Sequence, residues 1–371
     1  MTGLAQTTDE TMLVESARSF IDQAAPVSHL RGLRDAGKTY DPDLWAQMVA
    51  MGWAGVLIPE NAGGSDMGFT AACLLSQEMG KTLASSPFIS TAVIAATVFR
   101  HAARDKSQKA LKEIASGHRI YAMAIDERGK FAPEQVRTYA KSTDKGYELS
   151  GSKVFVVDGG FANRLLILAR TDEGLTLFDI AADATGVEIS PNSMIDSRNA
   201  ANITLDQVAL KSDAIVGSAG KAMKVLAPAL HAGQAAVAAE ATGLAIAAFD
   251  MTIAYLKERT QFGVKIGSFQ ALQHRAAHLW CEIEATRSAL MNAGRVLDQS
   301  PQDAGLAVSL AKARAMQTAR LAVSEGVQMH GGIGMTDEFD MGFYMKRARV
   351  LAEWLGDYGY HAEKIAQARG L

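Results

Sequence analysis

Three regimes of hydrophobic spacing follow one another along the chain. From the start to about residue 118, apolar residues recur every three or four positions. LVESARSFIDQAA and YDPDLWAQMVAMGW are examples, and the spacing is that of amphipathic helices. Asp41 or Asp43 can start the second of these as an N-cap. The Pro, Asn and Gly cluster IPENAGGSDMGF requires a loop, after which TAACLLSQEMGKTL and SPFISTAVIAATVFRHA resume the helical period. Near Ile120 the pattern changes to short β-forming segments: YAMAID, RTYAKST, YELSG, KVFVVDG, RLLILART, LTLFDI, VEISP and ANITLDQV. Gly, Asp, Asn and Pro punctuate them, which predicts an antiparallel sandwich or barrel of about eight strands ending near Gly217. From about Lys221 the helical period returns in four long stretches with short connections, the first of them Ala-rich, predicting a bundle. The expected fold class is therefore α+β multidomain. It has an N-terminal α-helical domain over 1–118, a middle antiparallel β domain over 119–218 and a C-terminal four-helix-bundle domain over 219–371.

Composition narrows the function classes. A chain of 371 residues exceeds one core of ordinary size, in keeping with several packed units. Charged residues make up 21% and the formal net charge is -3, so no basic excess points to nucleic acid or an anionic membrane as partner. Cys73 and Cys281 are too few for a disulfide framework or a zinc site, and no His, Cys and Asp cluster has metal-ligand spacing. The acidic, polar start MTGLAQTTDETMLVESARSF lacks the layout of a secretory signal, and ISTAVIAATVF is shorter than a bilayer span. The expected compartment is the cytoplasm.

Three local motifs carry chemistry. MGWAGVLIPENAGGSDMGF is a loop between helices; YLKERTQFGVKIGSFQ follows the long Ala-rich helix; VQMHGGIGMTDE closes a later one. Arg259 in the second motif offers a guanidinium that can pair bidentately with a pyrophosphate, although a lone Arg is more often a surface ion-pair member. Phe262 can cover an aromatic ligand edge or serve as a core aromatic. Gly331, Gly332 and Gly334 permit close backbone approach to a ligand, or simply connect two helices. Together, in this order and with this architecture, the motifs resemble the acyl-CoA dehydrogenase family across nearly the whole chain. The second motif is similar to the family's Arg-x-x-Phe-Gly segment and the third to its Gln-x-x-Gly-Gly-x-Gly turn. The resemblance implies FAD as cofactor, with Arg259, Phe262, Gln270, Gln328, Gly331 and Gly332 binding FAD held mainly by an adjacent subunit. It also implies an acyl-CoA substrate, α,β-desaturation, and an electron-transfer flavoprotein or similar acceptor.

The same comparison exposes departures. The family's base is a glutamate before a Gly near the end of the bundle, where this chain has Leu355 before Gly356. A subset of relatives places it on the first bundle helix, before an Arg; the matching pair here is Gly233 and Gln234. The family's Thr-Glu-Pro-x-x-Gly-Ser-Asp turn is replaced by the stretch from Ile125 to Val136, and its Trp-x-Thr by Phe155, Val156 and Val157. Groups lent to a neighbour's FAD are thus retained, while those of the chain's own flavin site are not. Two readings follow. In one, the chain is the base-less partner in a heteromeric dehydrogenase, resembling those that shorten steroid side chains in bacteria. In the other, it is a self-sufficient homo-oligomer with a relocated base, for which Glu240 is the candidate, two helical turns after Gly233. The alternative role for Glu240 is a buried carboxylate paired with a neighbouring helix. A flavin-free acyl-CoA-binding scaffold is a third class. Asp126 and Glu127 stand where the missing turn would be, Glu353 and Asp357 flank Leu355, and His274 and His330 read as bundle residues.

Overall fold

The structure is a computed structural model that describes residues 4–102 and 105–371. The N-terminal helices are α1 (Thr8–Ala24), α2 (Val27–Asp35), α3 (Pro42–Ala50), α4 (Gly68–Thr82), α5 (Ala96–Ala102) and α6 (Asp105–Ala115). The strands are β1 (Tyr121–Ala124), β2 (Tyr139–Thr143), β3 (Gly146–Val157), β4 (Arg164–Thr171), β5 (Gly174–Ala181), β6 (Val187–Pro191), β7 (Ala200–Leu210) and β8 (Ile215–Val216). Helix α7 (Met223–Glu258) leads through a small hairpin, β9 (Thr260–Gln261) and β10 (Val264–Lys265), into α8 (Gln270–Gln299), α9 (Ala304–His330), α10 (Met341–Glu353) and α11 (Tyr358–Ala368). Secondary structure changes class between Ala115 and Tyr121 and again between Val216 and Met223. The compact units are cut differently. One holds the residues up to Gly32, Cys73–Ala84 and Gln234–Leu371; the other holds Leu33–Ala72 and Ser85–Gly233.

In the first unit the helix starts obey local chemistry. Thr7 and Glu10 form a reciprocal capping box on α1, and Glu10 also receives Arg295 of α8 at 2.6 Å. Residues Gly80 of α4 and Gly243 of α7 mark where two backbones nearly touch. A Cβ on Gly80 would lie 2.1 Å from the Glu240 carbonyl oxygen, and one on Gly243 would lie 1.9 Å from that of Gln77. Alanines 235, 236, 238, 239, 241, 245 and 248 of α7 are all fully buried, so small side chains here serve close helix packing. By length and composition α7 is apolar enough to cross a membrane, but two thirds of its apolar window is buried inside the protein, as in a core helix. Glu240 lies in this dry seam, 3% exposed, and both its oxygens accept from the Arg347 guanidinium of α10 at 2.8 and 2.9 Å. Across α8 and α9, the Thr286 and Thr318 hydroxyls meet at 2.8 Å.

The expected fourth bundle helix is two. Its apolar period runs unbroken through RARVLAEWLGDYG, yet α10 stops at Glu353 and α11 begins at Tyr358. Leu355 has φ 59 and Gly356 φ 104, left-handed values that no α-helix accommodates. A Cβ at 356 would lie 2.6 Å from the Tyr360 ring, so glycine is required there.

The second unit is built on a sheet of order β6-β7-β3-β2-β4-β5-β8, with β1 attached to β4. It differs from a purely antiparallel expectation: Tyr121–Ala124 pair in parallel with Arg164–Ile167, and Tyr139 pairs in parallel with Arg170. Two predicted segments, YELSG and KVFVVDG, merge into the single strand β3, which is bulged between Lys153 and Val156 where Phe155 takes φ 51. The eighth strand is instead Ile215–Val216. Apolar residues of alternating positions, among them Leu149, Leu165, Ile167, Phe178, Ile203 and Val208, form its core. The predicted helix after Ser86 opens as a π-helix, Phe88–Ala95, buried throughout.

After β1 the chain carries Asp126 and Glu127. The Lys153 ammonium, fully buried, donates to Glu127 at 2.8 Å and to the Ile125 carbonyl at 3.1 Å. Glu127 also accepts the backbone N–H groups of Arg137 and Thr138 and the Thr138 hydroxyl. These bonds outweigh its desolvation and hold it down at about 2, whereas burial pulls Lys153 down to about 8. Asp126 has a buried oxygen with no hydrogen-bond partner among the described residues, and burial raises its carboxyl to about 6.

Two consequences are open to measurement. Glu240→Gln removes one charge of the buried Glu240–Arg347 pair and lowers stability by about 3 kcal/mol, read from urea unfolding midpoints. An unchanged midpoint would contradict the pairing. For Asp126, the folded state holds its proton more tightly than the unfolded chain, so wild-type stability falls as pH rises from about 4 to about 6. Asp126→Asn lacks this loss; its stability advantage over wild type therefore grows by about 2–3 kcal/mol across that window. A pH-independent difference would refute the assignment.

Candidate functional site

Helix α7 ends at Glu258, and the chain turns back through a two-residue loop. Phe262 (φ 54) and Gly263 (φ 78) both lie in the left-handed region, the requirement of a type I′ turn joining Gln261 to Val264. Phenylalanine is an unusual first residue for such a turn, and nothing in the fold covers it: its ring is 92% exposed and makes only an edge contact to Phe269 at 6.2 Å. The hairpin is anchored by main-chain bonds, Ile266 N–H donating to the Arg259 carbonyl at 2.9 Å, and by Lys265 Nζ donating to the Glu258 carbonyl at 2.6 Å. The Arg259 side chain is exposed and has no carboxylate partner among the described residues. Gln270, the first residue of α8, is exposed as well.

The end of α9 meets this hairpin. Leu256, Ile266 and Met329 form a small buried cluster, which ties the Arg259–Gln270 segment to the turn after α9. His330 is sandwiched between Tyr255 and Phe339, each at 4.5 Å, and its Nδ1 donates to the Gly326 carbonyl at 2.7 Å. Burial holds its pKa below the usual imidazole value, so it acts as a neutral bundle residue. Gln328 points outward from the last turn, while Gly331 (φ 64) ends the helix. A Cβ on Gly331 or Gly332 would meet no atom within 4 Å. The left-handed backbone accounts for Gly331, but no neighbour among the described residues demands glycine at 332. An unpaired guanidinium, an uncovered ring on a strained turn and an uncrowded glycine are what a phosphate-bearing aromatic ligand needs. FAD fits this set: Arg259 would hold the pyrophosphate, Phe262 a ring edge, and Gln328 with the Gly331–Gly332 backbone a polar portion.

Neither of the two positions for a base, Gly233 and Leu355, carries one. Gln234, next to Gly233, donates its amide to the Leu355 carbonyl at 3.1 Å. His361 Nε2 donates to the same oxygen at 3.2 Å, leaving Nδ1 to accept from the Ser309 hydroxyl at 3.3 Å. Lys312 of α9, fully buried, donates to the carbonyls of Leu351 at 2.9 Å and Gly356 at 3.4 Å. Leu355 itself is a buried apolar side chain. Glu240, the candidate relocated base, is the partner of Arg347, and a carboxylate with both oxygens bound to a buried guanidinium is not poised to take a carbon-bound proton. The geometry matches the alternative role for Glu240, a buried carboxylate paired with a neighbouring helix. Asp357 caps α11 through the Tyr360 N–H at 2.8 Å, and Glu353 pairs with Arg349 at 3.3 Å.

Three residues here were not singled out from sequence: Lys312, Lys153 and Arg347. Lys312 had a signal, since it sits in register with Val308 and Met316 on an apolar stripe. Lys153 falls at an inward position of a β alternation. Arg347 had none, because its partner is 107 residues away.

Comparison with known proteins agrees with this architecture. Residues 7–118 match the acyl-CoA dehydrogenase N-terminal domain family and residues 220–369 the C-terminal domain family. The short/branched chain specific acyl-CoA dehydrogenase of Rattus norvegicus mitochondria is 26% identical over 97% of this chain and 85% of its own length. Among solved structures, the ChsE4-ChsE5 complex from Mycobacterium tuberculosis has a chain that superposes with a TM-score of 0.90 at 24% identity, covering 100% of this chain and 99% of that one. A variant of the Tcur3481-Tcur3483 steroid ACAD superposes with a TM-score of 0.87 at 29% identity, covering 98% of each. With family domains matched at both ends of the chain and helices, sheet and bundle in the family's order, this protein belongs to the acyl-CoA dehydrogenase family of FAD-dependent oxidoreductases.

Proposed function

We propose that this chain is the base-less partner subunit of a heteromeric acyl-CoA dehydrogenase, completing an FAD site whose glutamate base belongs to a second subunit. The observation that carries the reading is the contrast between the two ends of the bundle. The ligand-facing groups Arg259, Phe262, Gln328 and Gly332 stand free, whereas the base position is a leucine with its carbonyl fixed by Gln234 and His361. A group that lacks a base and lies in a buried backbone knot has no means of removing an α-proton. The complexes named for ChsE4-ChsE5 and for a steroid ACAD support a two-subunit arrangement and favour a bulky, steroid-derived acyl-CoA as substrate.

When bound, FAD supplies the two-electron acceptor for α,β-desaturation, and an electron-transfer flavoprotein or similar acceptor would drain it. This chain's share is binding. The Arg259 guanidinium neutralises pyrophosphate charge, Phe262 shields an aromatic edge from water, and Gly331–Gly332 present N–H groups without side-chain obstruction.

Purified alone, the chain is expected to lack stoichiometric flavin absorbance and to leave acyl-CoA unoxidised. Co-expressed with a second family member that carries the glutamate, it should yield a yellow, active complex of both chains. A flavin-loaded homo-oligomer turning over at rates of about 1 per second or more would overturn the partner reading. Within the complex, Arg259→Ala should weaken flavin retention about ten- to a hundredfold, the loss of a charge-assisted pair. Undiminished flavin content after extensive dialysis would remove Arg259 from the site.

A further inference from the structure

The segment Trp354–Asp357 that separates α10 from α11 is held by its carbonyl groups. Leu355 is bonded by Gln234 and His361, and Leu351 and Gly356 are both bonded by Lys312. The Lys312 amine is fully buried. A neutral amine has two hydrogens, which the two carbonyls use up. An ammonium has a third, and no further acceptor lies within hydrogen-bond distance among the described residues. The titratable groups around it are few. Glu353 at the end of α10 and Asp357 in the joint act on it by charge, and His361 of α11 bonds the Leu355 carbonyl of the same joint. On α10, Arg347 is taken by Glu240; on α8, Thr286 meets Thr318, and Glu282 is bound to Arg314. Burial pulls Lys312 down to about 7, against the attraction of Asp357 and Glu353.

Asp357 has a second duty. Its Oδ1 accepts the Tyr360 N–H and caps α11, so any movement of this carboxylate toward Lys312 uncaps the helix. The joint also walls a surface groove of about 660 Å³, with Glu353, Asp357 and Tyr358 on one side and Met316 and Arg320 of α9 on the other.

We propose that Lys312 is a proton-sensitive pin of the α10–α11 joint. As the neutral amine it fastens the joint through the Leu351 and Gly356 carbonyls. As the ammonium it draws the Asp357 carboxylate from the α11 N-terminus, loosening the first turn of α11 and reshaping the groove wall. The device is independent of the flavin reading, because it requires neither cofactor nor partner.

Trp354 lies in the joint and reports on it. Its signal is the fluorescence difference between the full chain and Trp354→Phe, followed from about pH 6 to about pH 8.5. The expected result is a single transition with a midpoint within about one unit of neutrality. Lys312→Met should abolish it, and Asp357→Asn should lower the midpoint or remove the transition, since a neighbour that favours the ammonium is gone. A flat signal in the unaltered chain overturns the proposal. So does a transition surviving in Lys312→Met, which would assign the titration to His361. If Lys312→Met does not fold, an unmoved midpoint in Asp357→Asn overturns it equally.

Discussion

Helix α7 from Gln234 onward packs against its neighbours at backbone distance, and that closeness governs what the rest of the bundle can contain. Gly80 and Gly243 sit where a single methyl group would collide with a carbonyl of the opposite helix, and the alanines of α7 around this contact are fully buried. In such a seam a charge survives only with a counter-charge or with enough acceptors. Glu240 meets that condition through Arg347, whereas Lys312, at a helix break, has two carbonyls, enough for a neutral amine. The seam therefore explains why the one acidic residue of an otherwise small and apolar stretch is structural.

The same constraint sorts the remaining polar groups. Several that face the interior are bonded to protein, Gln234 and His361 to Leu355 and Lys153 to Glu127, while Asp126 keeps a buried oxygen without a partner among the described residues. Those that match the family's cofactor motifs, Arg259, Gln270 and Gln328, face outward, and their side chains have no hydrogen-bond or ion-pair partner among the described residues. Phe262 is held out on a turn whose backbone suits glycine or asparagine far better than an aromatic, at a cost of order 1 kcal/mol. Interior polarity here maintains the fold, and exterior polarity is where function has to be sought.

Much of the architecture was written locally. The helical period identified α1, α3, α4 and the long bundle helices, and Asp41 does cap α3 through the Asp43 and Leu44 N–H groups. Alternation identified the strands. What the pattern missed has a common cause, dependence on partners distant in sequence. The parallel pairing of β1 with β4 joins segments about forty residues apart, and β2 is not a hairpin neighbour of β4 in sequence. The period through RARVLAEWLGDYG stays helical because both halves bury the same kind of face; Lys312 and Gln234, on other helices, together with His361 of α11 itself, bond the carbonyls around the left-handed residues that break it.

By itself the sequence determined the order of helices, strands and bundle, the Gly-rich turn after α9, the Arg259–Phe262 loop and the lack of an acidic residue at Leu355 and Gly233. Each of these is a property of residue type and near neighbours, which propensity and periodicity report directly. Tertiary structure alone decided that Glu240 is a paired carboxylate, that Lys312 pins a helix break, and that Gly332 is uncrowded from within. Burial and pairing depend on which helix lies opposite, and no local pattern contains that information.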